Sequence, residues 1–154
     1  MTARSATHAT FTVERVVAAS PSRVFAHYAD PALKAQWFGA PDAGERSGDF
    51  EFREGGRETN SGEIDGVRHS FDGRYYDIVP NERIVMAYEM YLDGRRISVS
   101  TATTELRPDG DGTRIVYTEQ GVFLDGLDNV AQREGGTRWL FDRLAEVVEG
   151  RAAA

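Results

Sequence analysis

The sequence contains no cysteine, which excludes disulfide bridges, thiolate metal ligands and a cysteine nucleophile. Histidine is scarce as well, and with three scattered residues we expect no zinc site. Basic residues number 18 against 25 acidic ones, giving a net charge of −7. Because a phosphate backbone is bound by a basic surface, this charge disfavours nucleic acid as a partner.

Long apolar runs are also missing. No segment approaches the ~20 apolar residues that a membrane helix requires, so we expect no membrane partner. No apolar stretch follows the single arginine near the N-terminus, so the sequence predicts no signal peptide and a cytoplasmic protein. Phosphate-binding loops, dinucleotide fingerprints and nucleophile elbows are absent, and we expect no cofactor.

Hydrophobic periodicity divides the chain into a mixed beginning, a run of strands and a helical end. Residues 11–17 alternate like a half-buried strand, and Ser20-Pro21 and Asp30-Pro31 predict the starts of two short helices. The tail from 136 to 149 has apolar residues at helical spacing, with Gly150 at the expected C-cap. Between them, the alternation and Gly turns predict strands over residues 49–52, 57–64, 67–79, 83–92, 95–106 and 113–120.

This order predicts an α+β protein. Consecutive strands joined by short turns must be antiparallel, and the apolar face of the last helix must cover the apolar face of the sheet. A length of 154 residues fits a single domain.

The chain resembles the helix-grip fold of the START/Bet v 1-like (SRPBCC) superfamily, and within it the Activator of Hsp90 ATPase homologue 1-like branch. Three stretches carry the resemblance: residues 13–38 with Ser20-Pro21, Asp30-Pro31 and Trp37-Phe38; residues 73–85; and residues 136–148. The branch usually has Trp directly after the glycine that opens its last helix, whereas this chain has Thr137 there and a tryptophan at Trp139.

The resemblance implies one helix-grip domain over residues 10–150. Its curved antiparallel sheet of about seven strands would wrap around the long C-terminal helix, with two short helices after the first strand. Members of the superfamily bind apolar ligands in a cavity between sheet and helix, and a minority catalyse reactions such as polyketide cyclisation. The co-chaperone that names the branch stimulates Hsp90 as part of a two-domain protein.

Candidate cavity residues follow from the faces of the predicted strands. The face of the predicted strand over residues 83–92 that carries Met86, Tyr88 and Met90 is apolar throughout, and we expect it to be concave. On the next strand, Thr101 and Thr103 fall on the face that we expect to point inward. Plain core packing explains these patterns equally well. The predicted ligand-binding residues are Trp37, Phe38, His69, Phe71, Met86, Tyr88, Met90, Thr101, Thr103, Tyr117, Leu140, Phe141 and Leu144.

His69 is the best candidate for a general base, since histidine is the side chain that ordinarily titrates near neutral pH. Glu89 or Glu119 would be its carboxylate partner. A satisfied core or surface histidine is the alternative, and His27 is expected at a surface edge. Arg15 falls on the apolar face of the first strand, where it could bind the polar end of an amphipathic ligand or pair with an acid such as Glu119 or Glu89; we favour the ion pair.

Three functions fit the sequence. The first is binding of a small apolar, aromatic or lipid-like ligand in the cavity. The second is an enzyme of the polyketide cyclase or hydro-lyase type that uses the cavity histidine and a carboxylate. The third is a co-chaperone-like protein-interaction module. A homodimer remains open.

Overall fold

The computed structural model describes residues 4–38 and 48–150. Six strands and three helices lie in these ranges. They are β1 (Ala6–Val17), α1 (Pro21–Ala29), α2 (Pro31–Lys34), β2 (Arg57–Ile64), β3 (Val67–Val79), β4 (Arg83–Leu92), β5 (Arg95–Asp109), β6 (Gly112–Leu124) and α3 (Val130–Val148).

The six strands form one antiparallel sheet in the order β1-β6-β5-β4-β3-β2. Two of its hairpins turn at Asp65-Gly66 and Asp93-Gly94, and all four residues have positive φ. Two consecutive positive φ angles are the mark of a type I′ turn, whose twist matches that of the strands it joins. These turns set the register of β2 with β3 and of β4 with β5, so the sequence locates both hairpins correctly.

The predicted strand over residues 49–52 is wrong. Phe50 makes a single bridge to Glu58, and no further ladder forms. The amide of Arg53 bonds to the carbonyl of Glu51, so the chain coils on itself before the turn at Gly55, whose φ is +81°. The described residues therefore contain six strands and not seven.

Each of the three helices begins with an N-cap residue whose side chain accepts a hydrogen bond from the first turn. Ser20 accepts from the amide of Arg23 at the start of α1, and Asp30 accepts from Ala32 at the start of α2. Asn129 does the same for α3 by accepting from Gln132. The sequence places the start of α3 six residues too late, because its first two turns carry two glycines and polar side chains instead of an apolar stripe.

The second half of α3 forms the core with β1, β6 and α1. Phe141, Leu144 and Val148 are buried there against strand residues such as Val13 and Ile115. Leu144 is 0% exposed. None of the described helices is both long and apolar enough to cross a membrane.

A bulge in β5 reverses the faces of that strand. Met90 pairs with Ser98 while Tyr91 pairs with Arg96, which leaves Ile97 as an extra residue. Beyond it the even-numbered residues, such as Thr104, face inward. Thr101 is exposed and Thr103 lies on the same outer face. The prediction that these two threonines point inward is therefore wrong. Side chains alternate between the two faces of a strand, so one extra residue exchanges the faces of all residues beyond it.

Replacing Asn129 by Ala should lower the free energy of unfolding by about 1 kcal/mol, because the cap of α3 is lost. Asn129→Asp should keep nearly full stability, since aspartate caps equally well. Urea denaturation followed by circular dichroism measures both variants. Equal losses in the two would show that the cap makes no contribution.

Candidate functional site

A cavity of about 540 Å³ lies between the concave face of the sheet and α3. Ten of the predicted ligand-binding residues line it: Trp37, Phe38, His69, Phe71, Met86, Tyr88, Met90, Tyr117, Leu140 and Phe141. Their role in binding stays a prediction.

Three predicted residues lie elsewhere. Thr101 and Thr103 are on the outer face of β5, and their places at the cavity are taken by Ala102 and Thr104. Leu144 belongs to the packed core below the cavity. We therefore expect substitution of Leu144 to affect stability first.

Aromatic rings make up much of the wall. Phe71 stacks on Tyr88 with ring centroids 4.9 Å apart, and Phe38 packs edge-on against Phe71 at 5.6 Å. Opposite them, Tyr117 packs against Phe141 at 5.1 Å. Such contacts fix the rings, so the cavity has a preformed apolar surface.

A buried ion pair stands beside the cavity. Lys34 Nζ of α2 lies 2.6 Å from Glu58 Oε1 of β2, and both side chains are at most 10% exposed. The hydroxyl of Tyr75 donates to the same carboxylate and accepts from Lys34 at 3.2 Å. Burial lowers the pKa of Lys34, and the Glu58 carboxylate opposes that shift. Burial, reinforced by Glu58, raises the pKa of Tyr75.

A second buried carboxylate, Glu119 of β6, is 1% exposed. It accepts from the hydroxyls of Tyr88 at 2.8 Å and Tyr117 at 2.6 Å, and from Arg133 at 3.2 Å. Burial is the main cause that raises the pKa of both tyrosines, so they remain neutral donors. Glu119, a predicted catalytic candidate, thus lies beside the cavity, and both of its carboxylate oxygens accept hydrogen bonds within the protein.

Arg133 links α3 to the sheet. Its guanidinium donates to Ser98 at 2.6 Å and to Asp128 at 3.0 Å, in addition to Glu119. It also stacks at 5.3 Å from the ring of Phe123. The side chain therefore spans the space between the first half of α3 and the sheet.

Several sequence predictions about charged residues need correction. Glu89 lies on the outer face of β4, paired with Arg96 at 2.7 Å, and does not reach the cavity where His69 lies. Arg15 pairs with Asp142 of α3 at 2.9 Å, and not with Glu119 or Glu89. Its inward-facing strand position puts it beside the helix.

His27 is also placed differently from the prediction. It is buried on the inner face of α1, with Nδ1 2.8 Å from the carbonyl oxygen of Arg23. The expected surface edge is therefore wrong. Among the described residues, no group of three or more His, Cys, Asp or Glu side chains is arranged to hold a metal ion.

Sequence patterns missed Lys34, Glu58 and Arg133. Each is a charged residue in a short helix, a strand or a glycine-containing helical turn, and local pattern ordinarily places such residues at the surface. On β2, Glu58 is buried between the exposed Arg57 and the half-buried Thr59, and all three side chains are polar, so the sequence gives no sign of which faces inward.

The family model described as Activator of Hsp90 ATPase homolog 1-like protein matches residues 18–149. The chain belongs to this family. A solved structure of a protein from Rhizobium loti is 44% identical, covers 93% of this chain and 99% of its own, and has a TM-score of 0.86. A protein from Rhizobium leguminosarum is 41% identical over 97% of this chain and 99% of its own, with a TM-score of 0.84.

More distant structures share the fold alone. A protein from the dynemicin biosynthetic locus is 21% identical over 91% of this chain and 47% of its own, with a TM-score of 0.67. No curated protein matches the chain. The resemblance to the family and the helix-grip fold are confirmed, with six strands in the described residues.

Replacing Lys34 by Met should lower the free energy of unfolding by about 3–5 kcal/mol, because it leaves the buried Glu58 carboxylate without its cation. The double variant Lys34→Met/Glu58→Gln should regain much of that loss, since the amide is neutral and still accepts from Tyr75. Chemical denaturation of the two single variants, Lys34→Met and Glu58→Gln, and of the double variant tests this coupling. A double variant as unstable as the sum of the two single variants would contradict it.

Proposed function

We propose that the chain binds a small, neutral, largely apolar or aromatic ligand in the cavity between the sheet and α3. The observation that carries the proposal is the cavity itself, whose volume of about 540 Å³ lies in the usual range of ligand sites. Its walls combine fixed aromatic rings with a few buried polar groups, which is the composition typical of such sites.

The charges around the cavity support a neutral ligand. Lys34 is paired with Glu58, and Arg133 is paired with Glu119 and Asp128. A charged ligand would have to compete with one of these buried pairs, and breaking such a pair is strongly unfavourable. A neutral ligand avoids that cost.

Apolar burial would supply most of the affinity. A bicyclic aromatic molecule that buries about 300 Å² of its surface gains about 7 kcal/mol, from which the cost of association is subtracted. Because a dissociation constant of 1 μM corresponds to about 8 kcal/mol, simple aromatic probes are expected to bind more weakly than micromolar.

The other two candidate functions have less support. For an enzyme, His69 lines the cavity, but Glu89 faces outward and Glu119 is held by three donors. For a protein-interaction module, the large exposed apolar side chains lie on four different elements: Val16, Tyr76, Val99 and Trp139. Ligand binding is therefore the best supported of the three candidate functions.

Two neighbouring glycines provide a matched test. A Cβ atom at Gly135 or Gly136 would meet nothing within 4 Å, so both positions accept a side chain. Both glycines are exposed on α3, and of the two Gly136 is part of the cavity lining. Gly136→Leu should therefore fill part of the cavity, and Gly135→Leu should leave it open.

The probe is 1-aminoanthracene, a neutral fluorophore. Both tryptophans of the chain, Trp37 and Trp139, line the cavity, so bound probe should quench their emission by energy transfer. Gly136→Leu should weaken binding by about tenfold or more through lost apolar contact, while Gly135→Leu should stay within about twofold of the original chain. Equal affinities in the two variants, or no binding to the original chain, would contradict the proposal.

A further inference from the structure

A second pocket, of about 440 Å³, lies outside the cavity, between α1, the α2 region and the end of α3. Its lining shares no residue with the lining of the cavity. Four polar side chains belong to it: Ser22, Arg23, His27 and Gln36. Among the described residues no carboxylate lines this pocket, although the chain has 25 acidic residues and a net charge of −7. The pocket therefore lacks the negative charge that predominates in the chain.

Arg23 brings a positive charge to this pocket. Its Nε donates to the carbonyl oxygen of Val148 at 2.7 Å, which anchors the guanidinium against the end of α3. Its two terminal nitrogens form no hydrogen bond or ion pair within residues 4–38 and 48–150. Arginine binds oxyanions through such N–H groups, and the N-terminal end of a helix, where Arg23 lies, also favours negative charge.

His27 brings a buried ring to the same pocket. It is 2% exposed, and its Nδ1 lies 2.8 Å from the carbonyl oxygen of Arg23. Because a carbonyl oxygen can only accept, Nδ1 carries a proton, and Nε2 of the neutral ring is an acceptor. Within the described parts of the chain, Nε2 has no hydrogen-bond partner. It is not among the unpaired side-chain atoms that are sealed from solvent, so a partner in the pocket can reach it.

These groups together demand an anion that also carries a proton. Arg23, the hydroxyl of Ser22 and the amide of Gln36 can donate to charged oxygens, whereas His27 Nε2 needs a donor. Sulfate and simple carboxylates have no O–H group near neutral pH. A phosphate monoester loses its last proton at about pH 6, but the hydrogen phosphate ion keeps one O–H group beside its charged oxygens.

We infer that this pocket is a binding site for the hydrogen phosphate ion. Arg23 binds the charged oxygens, and His27 Nε2 accepts the remaining O–H group. The site is separate from the cavity, so the inference does not depend on the proposed function.

The test compares phosphate with sulfate, two ions of nearly equal shape. At about pH 8, where imidazole is ordinarily neutral, both are mainly dianions and only phosphate has an O–H group. Uniformly ¹⁵N-labelled protein is titrated with each sodium salt at constant ionic strength and followed by nuclear magnetic resonance. Phosphate should bind about tenfold more tightly than sulfate, as one charge-assisted hydrogen bond predicts. It should shift the signal of His27 Nε2 and not the ring signals of His69, which lines the cavity.

Three variants locate the site, with the backbone amides of α1 as reporters. Arg23→Met should weaken phosphate binding about tenfold or more through loss of the charged partner. Arg95→Met is the matched control, because Arg95 is exposed at the start of β5 and is not part of the pocket lining, and it should stay within about twofold. His27→Phe removes the acceptor and should reduce the affinity for phosphate to that for sulfate.

Four outcomes would overturn the inference. The first is equal affinity of the original chain for the two ions, and the second is no shift at His27 on addition of phosphate. The third is a shift confined to His69, which would place the ion in the cavity. The fourth is equal weakening by Arg95→Met and Arg23→Met, since general charge attraction would then explain the binding. None of them affects the proposed binding of a ligand in the cavity.

Discussion

The shape of the site depends on one interaction, the buried ion pair between Arg133 and Glu119. The arginine reaches from the first half of α3 to Glu119 on the sheet, so a buried ion pair joins helix and sheet there. The second half of α3 needs no such ion pair, since Phe141 and Leu144 pack directly into the core. Because Gly136 adds no side chain to the space in between, the gap stays open as a cavity.

The same arrangement determines what chemistry the cavity offers. Lys34 and Arg133 each form an ion pair with a carboxylate of the protein, so their attraction for an ionic ligand is largely cancelled. What remains at the cavity is mainly aromatic and other apolar surface. Membership of the Activator of Hsp90 ATPase homolog 1-like family defines the fold, whereas this balance of groups is specific to the site.

Local patterns predict the elements of this fold well and its long-range pairs poorly. The Asp-Gly turns place β2 to β5 nearly to the residue, because turn chemistry is local. The bulge at Ile97 has no local signal, so the faces of Thr101 and Thr103 are assigned incorrectly. The pair Lys34–Glu58 joins residues that are distant in sequence, and only the folded chain shows that each neutralises the other.

The most direct measurement is a nuclear magnetic resonance titration of the protein labelled with ¹³C at its methionine methyl groups. The chain has three methionines, of which Met86 and Met90 line the cavity. Addition of 1-aminoanthracene should shift the signals of Met86 and Met90 through the ring current of the bound probe. Binding detected by fluorescence without any shift of Met86 or Met90 would place the ligand elsewhere and contradict the account.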